Sequence, residues 1–485
     1  MNSFLESIFT YNPEAPMLFN SGLFWVLFIL FIPIFGLIRH RKTTMMVYVT
    51  IFSLFFYYKS SGLFCILLFV RALTDYLLAK WINVTENKAG RKWLLATSIL
   101  LSVATLGYFK YSNFILLDVA TLFGGNFQPL DLILPVGISF YTFQSISYVV
   151  DVYKRRTGQA ESFLEYLFYL SFFPQLVAGP IVRSSVFLPQ IYNENKITDK
   201  SVFSGMVLIM IGLVKKAIVA DYIAQFNNMV FANTSGYSGF ECMIVLFGFS
   251  VQIFCDFSGY SDIAIGLSRI MGFELGDNFR SPFKSLNISE FWRRWHISLS
   301  SWLRDYIYIP LGGNRKGKVR TYINLFITML VGGIWHGAGW HFIIWGGMHG
   351  LALVAHKLKR TIAPVNEIGR ARQIFSILCT FLFVTSLWGF FRCGSAAEAA
   401  KMMIHIFTDF QPEMIIPFVQ TRTTWFIVLL LAFVAIFLPL KVYQWAEKVY
   451  INSHIVVKLL IFIALVQVIL EFSNTEVSPF IYFQF

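Results

Sequence analysis

Charge is scarce in this chain. Of its 485 residues only 13% are Asp, Glu, Lys or Arg, while 56% are apolar. A soluble domain usually carries about 25% charged and about 45–50% apolar residues. An ordinary soluble fold and a disordered chain are both excluded. Acidic residues are the scarcer sign, 26 against 39 Lys+Arg, which leaves a net charge of +13. Cysteine is also sparse: Cys65, Cys242, Cys255, Cys379 and Cys393 are odd in number and show no CxxC spacing. Neither a disulfide framework nor a zinc site is supported. His341, His349 and His356 have no nearby acidic ligand and no HExxH pattern, so no metal is expected. The chain has no GxSxG elbow and no Walker A sequence, so serine-hydrolase and ATP-driven mechanisms have no seat. No basic n-region precedes the first apolar run, and a cleavable signal peptide is not expected.

What is abundant is apolar length, including 53 phenylalanines. A membrane span needs about 20 mostly apolar residues. Candidate spans are 18–38, 44–58, 62–79, 93–115, 132–150, 202–225, 241–268, 322–336, 340–356, 373–391, 423–440 and 456–472. The run 163–182 is broken by Pro174, Gly179 and Pro180 and reads as a re-entrant or interfacial piece. The pattern predicts one all-α polytopic membrane protein. Basic loops after the first span, around Lys88 and Lys154, and at Lys357–Arg372 are expected on the cytoplasmic side. Both termini are then extracytoplasmic. The positive charge is scattered between apolar runs, so it reads as loop topology and contact with membrane lipids, not as a nucleic-acid surface.

Residues 269–320 break the pattern of short loops, with ten Lys/Arg and four Asp/Glu interleaved with aromatics. Asn287 and Glu290 have the spacing of a capping box. Ile288, Phe291, Trp292, Trp295, Leu299 and Trp302 then recur at helical spacing. This predicts an amphipathic helix lying in the cytoplasmic interface. Arg293 and Arg294 are candidates for holding the phosphates of a cytosolic donor, or equally anionic lipid.

His336 sits among four glycines between two apolar spans, where an ionisable group is expensive and reads as functional. A neutral imidazole in a dry site is a competent general base. The alternative is a packed histidine bonded to a neighbouring helix. His296 by itself reads more readily as a surface histidine than as a functional one. Asp256 and Asp262 end an apolar run and need partners, either a histidine to orient or an arginine to pair. Tyr482, in the aromatic C-terminal run, is either an interfacial anchor or a reactive phenol able to keep the transfer potential of a thioester.

The combination of Phe291-Trp292-Arg293-Arg294-Trp295-His296, Trp302-Leu303-Arg304-Asp305-Tyr306, Pro310-Leu311-Gly312-Gly313 and Trp335-His336-Gly337 resembles the membrane-bound O-acyltransferase family. So do Leu134–Phe140, Phe173–Pro180 with Gln175, and Asp256–Asp262. The match is close over about residues 100–355. The nearest branch looks like the bacterial alginate and peptidoglycan O-acetyltransferase membrane subunits, with the teichoic acid D-alanyl transfer protein as a cousin. The resemblance implies about 11–13 transmembrane helices around a central funnel, with interfacial helices lining its cytoplasmic side. It implies one integral-membrane domain over 1–485: N-terminal spans 1–100, a core 100–355 holding the interfacial region 269–320, further spans 356–472, and a tail 473–485.

The resemblance also implies roles. His336 falls on the catalytic histidine and His296 on the second one. Arg293, Arg294, Trp302, Arg304 and Asp305 become donor-binding candidates, and Gln175, Asp256 and Asp262 supporting ones. Phe480-x-Tyr482-x-x-Phe485 fits the pattern of an acyl-carrying tyrosine. The expected activity is transfer of an acetyl group from a cytosolic thioester, acetyl-CoA, across a bacterial cytoplasmic (inner) membrane to an extracytoplasmic polysaccharide. The outer partner is expected to be a serine-dependent, SGNH-like acetyltransferase, and no bound cofactor is expected. Two other readings stay open. One is a D-alanyl-type transferase that takes its group from a phosphopantetheine thioester on an acyl carrier protein. The other is a polysaccharide or lipid transporter, which would spread charge along several spans and show inverted repeats.

Overall fold

The computed structural model describes residues 8–192, 197–362 and 369–472. Every regular element among them is helical. Each of the twelve candidate spans contains a helix. Among the described residues, four helical runs are long and apolar enough to cross a membrane by themselves: Lys88–Leu122, Asp199–Ala232, Gly239–Ile270 and Arg370–Arg392. The segment 423–440 forms a helix shorter than its apolar run. Its helix, Thr423–Phe437, is bent by 97° from Pro412–Thr421. Its 15 residues rise about 22 Å, short of the roughly 30 Å hydrocarbon core. The bent pair has the form of a broken span or a re-entrant loop. The segment 163–182 is broken as expected, into Phe163–Ser171 and Phe173–Leu176, and its backbone is buried in protein from Tyr166 to Val182.

The chain divides into two compact units, Met1–Ile209 with Tyr260–Gly276, and Met210–Gly259 with Asp277–Phe485. In the first unit the phenylalanines find their use. Phe24, Phe28, Phe31 and Phe35 recur at steps of four and three on Gly22–Ile38, so they share one face, and all four are buried. Phe28 and Phe31 pack on Phe173, at 6.3 and 5.8 Å between ring centroids, and Phe31 on Phe52 at 4.4 Å. The broken segment is thus held by an aromatic stripe.

The same unit contains a polar knot that periodicity does not signal. Arg71 and Asp75 stand one turn apart on Phe64–Val84, both buried and paired. Arg71 Nε donates to Asp75 at 3.0 Å, Tyr166 Oη at 3.2 Å and Ser98 Oγ at 3.2 Å, and Ser145 Oγ also donates to this carboxylate. Four helices therefore meet on one carboxylate, whose burial is tolerable only because its acceptor sites are filled.

In the second unit Lys216, inside the π-helical turn Val214–Ala220, places its ammonium 2.6 Å from Asp256 and 2.8 Å from Asp221. The extra residue of a π turn shifts the phase of the helix, and here it turns this lysine inward.

Removing one partner of a buried pair leaves an uncompensated charge at a cost of about 3–5 kcal/mol. Asp75→Ala is therefore expected to lower the thermal unfolding temperature of the detergent-solubilised protein sharply. An Arg71→Leu/Asp75→Leu double variant should recover most of the loss.

Candidate active site

The helices Lys318–His336 and Trp340–Ile362 form the hairpin on which His336 rides. Glycine makes their approach possible. A Cβ on Gly346 would lie 2.6 Å from the Met329 carbonyl, and one on Gly333 would collide with the Phe342 carbonyl. His336 is the last residue of its helix, and Gly337 comes next in an extended conformation. A side chain at 337 would strike the Phe342 ring. The small residues here serve close backbone contact, as they do between membrane helices generally.

His336 is buried, with its ring against Trp335 (4.9 Å), Trp345 (5.0 Å) and Phe391 (5.1 Å). Trp335 also meets the ring of His296 at 6.0 Å. Beyond Trp345 lies His349, 4.7 Å away. The order His296, Trp335, His336, Trp345, His349 is thus a ladder of alternating imidazoles and indoles, and all three histidines are buried.

His296 is not on the surface of a continuous amphipathic helix, and this corrects the sequence reading. The helix expected from Ile288 to Trp302 is two short ones, Ile288–Arg294 and Ile297–Leu303. Between them His296 adopts a left-handed backbone, φ 42° and ψ 57°, which is costly for a residue with a Cβ and clusters at functional sites. The apolar positions continue the helical rhythm across the break because Phe291, Trp292, Trp295, Leu299 and Trp302 are all buried in protein. The capping box is half formed. Asn287 accepts from Glu290 N at 3.0 Å, but the Glu290 carboxylate takes the Leu286 N–H.

Asn278 fixes the tautomer of His296. Its Oδ1 accepts from Ser298 N at 3.2 Å and Ser298 Oγ at 2.9 Å, and it lies 3.2 Å from His296 Nδ1. An oxygen that collects donors calls for Nδ1–H, which leaves Nε2 as the basic nitrogen. Burial lowers the His296 pKa to about 3. The imidazole is neutral at pH 7: its Nε2 can accept a hydrogen bond, and burial disfavours the protonated ring. Phe257 covers it edge-on at 4.5 Å.

Sequence reasoning missed the other end of the ladder. Trp292 Nε1 donates to His349 Nδ1 at 3.3 Å, so His349 is neutral and carries its hydrogen on Nε2. That N–H and the indole N–H groups of Trp345 and Trp388 are buried with no acceptor among the described residues. Each such donor costs about 1–3 kcal/mol and is suited to an oxygen on a bound molecule. The sequence weighed His349 only as a metal ligand, and Trp388, 43 residues beyond Trp345 on another helix, has no local link to it.

Comparison with known proteins decides the identity. Residues 51–395 match the model of MBOAT, the membrane-bound O-acyltransferase family. The chain belongs to this family. It is 36% identical over 429 residues to the peptidoglycan O-acetyltransferase of Helicobacter pylori, covering 82% of this chain and 81% of that one. It is also 36% identical over 499 residues to a Pseudomonas putida protein named "Probable alginate O-acetylase AlgI", covering 97% and 100%. The teichoic acid D-alanyltransferase of Bacillus subtilis is 28% identical over 389 residues, 76% of this chain and 95% of that one. The protein is thus an O-acyltransferase and an all-α polytopic membrane protein.

The other candidate residues of this membrane-bound O-acyltransferase separate. Arg294 pairs with Glu290 at 2.6 Å, and Arg304 with its neighbour Asp305 at 2.7 Å. Trp302 is buried against Tyr306. Only Arg293 of the three arginines stays exposed without an acidic partner among the described residues. Asp256 pairs with a lysine, neither of the partners expected, and the adjacent Phe257 is what reaches His296. Gln175 and Asp262 belong to the first unit, where Gln175 donates to the Tyr169 carbonyl at 2.6 Å. Tyr482 lies outside the described residues.

Two outcomes are expected. Gly337→Ala should displace Phe342 and His336, cost roughly 1–3 kcal/mol by overpacking and lower acyl transfer out of proportion to that loss, as read by thermal unfolding and turnover. The His296 ring should show no titration between pH 8 and 5 by 15N-histidine NMR. Its folded pKa lies below the unfolded 6.5, so protons favour the unfolded chain. Its contribution to stability is complete above about 6.5 and declines as pH falls toward 3.

Proposed function

We propose that this enzyme takes an acetyl group from a cytosolic thioester, acetyl-CoA, and passes it across a bacterial inner membrane for O-acetylation of an extracytoplasmic polysaccharide. The observation that carries the reading is the placement of two buried imidazoles, His296 and His336, against one indole in a chain of this family. Relatives named for peptidoglycan and alginate acetylation at 36% identity support the acetyl group and the glycan class.

His336 takes the proton of an acceptor hydroxyl as its oxygen attacks the thioester carbonyl. The new C–O bond forms, the C–S bond breaks, and the proton held by His336 passes to the departing thiolate. His296 is neutral and accepts at Nε2, so it positions the donor; protonating the thiolate does not suit a group with a pKa of about 3. The hydroxyl assigned to acceptance is that of Tyr482. The acyl-tyrosine then supplies an outer serine-dependent partner, with both termini extracytoplasmic. Carrier-protein thioester as donor is the second reading, carried by the D-alanyltransferase relative at 28% identity.

The test is transfer from labelled acetyl-CoA to purified protein, mapped by intact mass and C-terminal peptide analysis, with wild type, His336→Ala and Tyr482→Phe. Label on Tyr482 that disappears in both variants is the expected result. Efficient labelling of His336→Ala would remove the base from the mechanism. Labelling by an acyl carrier thioester alone would select the second reading.

A further inference from the structure

An odd number of cysteines argues against a disulfide framework but leaves room for a single bridge. Within the second unit, the helix Arg370–Arg392 packs on the first half of Gly239–Ile270 in a fixed register. Ser250 Oγ and Thr385 Oγ1 share a hydrogen bond at 2.9 Å. A Cβ on Gly389 would lie 3.5 Å from Leu246 Cδ2. The second contact is one turn back on one helix and one turn forward on the other, so the two run antiparallel. The next step of the same register pairs Cys242 with Cys393. Both residues still follow the helical rise: Cys242 N–H donates to the Ser238 carbonyl and Cys393 N–H to the Gly389 carbonyl, each at 3.0 Å. Both are buried thiols, and Cys393 is among the groups that act electrostatically on Cys242. A disulfide needs Cα atoms about 4.4–6.8 Å apart, and Gly389, one turn away, supplies the small residue that lets helices come close. Cys242 Sγ donates to the Thr234 carbonyl at 3.6 Å, a weak bond that is cheap to give up.

The pair lies at one end of both helices. The opposite end of Arg370–Arg392 begins with Arg370 and Arg372, which the basic-loop pattern assigns to the cytoplasmic side. Cys242 and Cys393 are then at the extracytoplasmic end, where disulfides persist. Their place also bears on the active region. Phe391, two residues before Cys393, packs on His336 at 5.1 Å, and Trp388 stacks on Trp345 at 5.9 Å. Cys393 therefore ends the helix that closes one side of the aromatic ladder.

We propose that Cys242 and Cys393 form a disulfide that locks the outer end of Arg370–Arg392 and so holds Phe391 against His336. In its formation two S–H bonds are lost and one S–S bond forms. The electron pair reduces an external disulfide, carried by a small molecule or a protein, to two thiols, which also take up the two protons. The bridge closes a loop of about 150 residues, a length at which a cross-link removes much of the freedom of the unfolded chain. The inference rests on the orientation read from the basic loops, not on the identity of the acyl donor.

The experiment uses the full-length protein. Cells are lysed in denaturant with N-ethylmaleimide, which blocks free thiols before they oxidise, and peptides are mapped by mass spectrometry without reductant. The expected result is a peptide pair joining Cys242 to Cys393 that separates on treatment with dithiothreitol. Cys242→Ser and Cys393→Ser should each leave the other cysteine open to maleimide. In nanodiscs, dithiothreitol should lower the unfolding temperature of wild type by a few degrees and reduce kcat with little change in KM. It should move neither quantity in Cys242→Ser/Cys393→Ser, and the wild-type measurement needs no variant to fold. Maleimide on both cysteines of wild type taken from cells overturns the bridge. Should the purified, reduced protein then close the same pair with diamide, the register stands and the orientation is what failed. Should it not close, the register itself is wrong. A bridge whose reduction leaves both unfolding temperature and kcat unchanged overturns the lock.

Discussion

Direct backbone contact at Gly333 and Gly346 governs the active region. The two helices it joins carry His336 on one and Trp345 and His349 on the other, and at that separation the His336 ring meets Trp345 edge to face. A side chain at either glycine would wedge the hairpin apart and pull the indole off the imidazole. The aromatic ladder is thus a consequence of residues that contribute no side chain. Phe342 plays a matching part from the other direction, since its ring fills the space beside Gly337.

His296 reaches the same ladder by a different route. Its segment is pinned by Asn278, which binds the imidazole and the Ser298 amide through one oxygen and the Ile297 N–H through its backbone carbonyl. The strained backbone at 296 is therefore over-determined: with the Ser298 hydroxyl, four hydrogen bonds converge on Asn278. Burial then keeps the ring uncharged.

How much of this was legible in the sequence differs residue by residue. His336 could be read because glycines and apolar spans surround it, and both features act over short chain distances. His296 could be located but not described. A helical rhythm that continues through a left-handed residue hides the break, and the aromatics that suggested a lipid-facing stripe are packed on protein. Arg71 and Asp75 were lost inside an apolar run, where hydropathy averages them away. Asp256 signalled a need for a partner, but Lys216 stands 40 positions back and turns inward only because of a π turn. The basic residues at 357–360 read only as loop topology. Their convergence with Arg293 on one cleft depends on tertiary contact and has no local trace.

The break at His296 has a consequence for tolerance to change. Arg293 and His296 are separated by two residues, and the segment is clamped on both sides by buried Trp292 and Trp295. Trp292 is tied to His349 and Trp295 is packed on Trp388. There is no slack between the exposed guanidinium and the buried imidazole. The interval acts as a ruler cut to one length, so an insertion or deletion there would shift every clamp at once. Residues 314–317 are exposed and follow Gly313, whose carbonyl Asn324 holds, and they are where length can vary at lower cost.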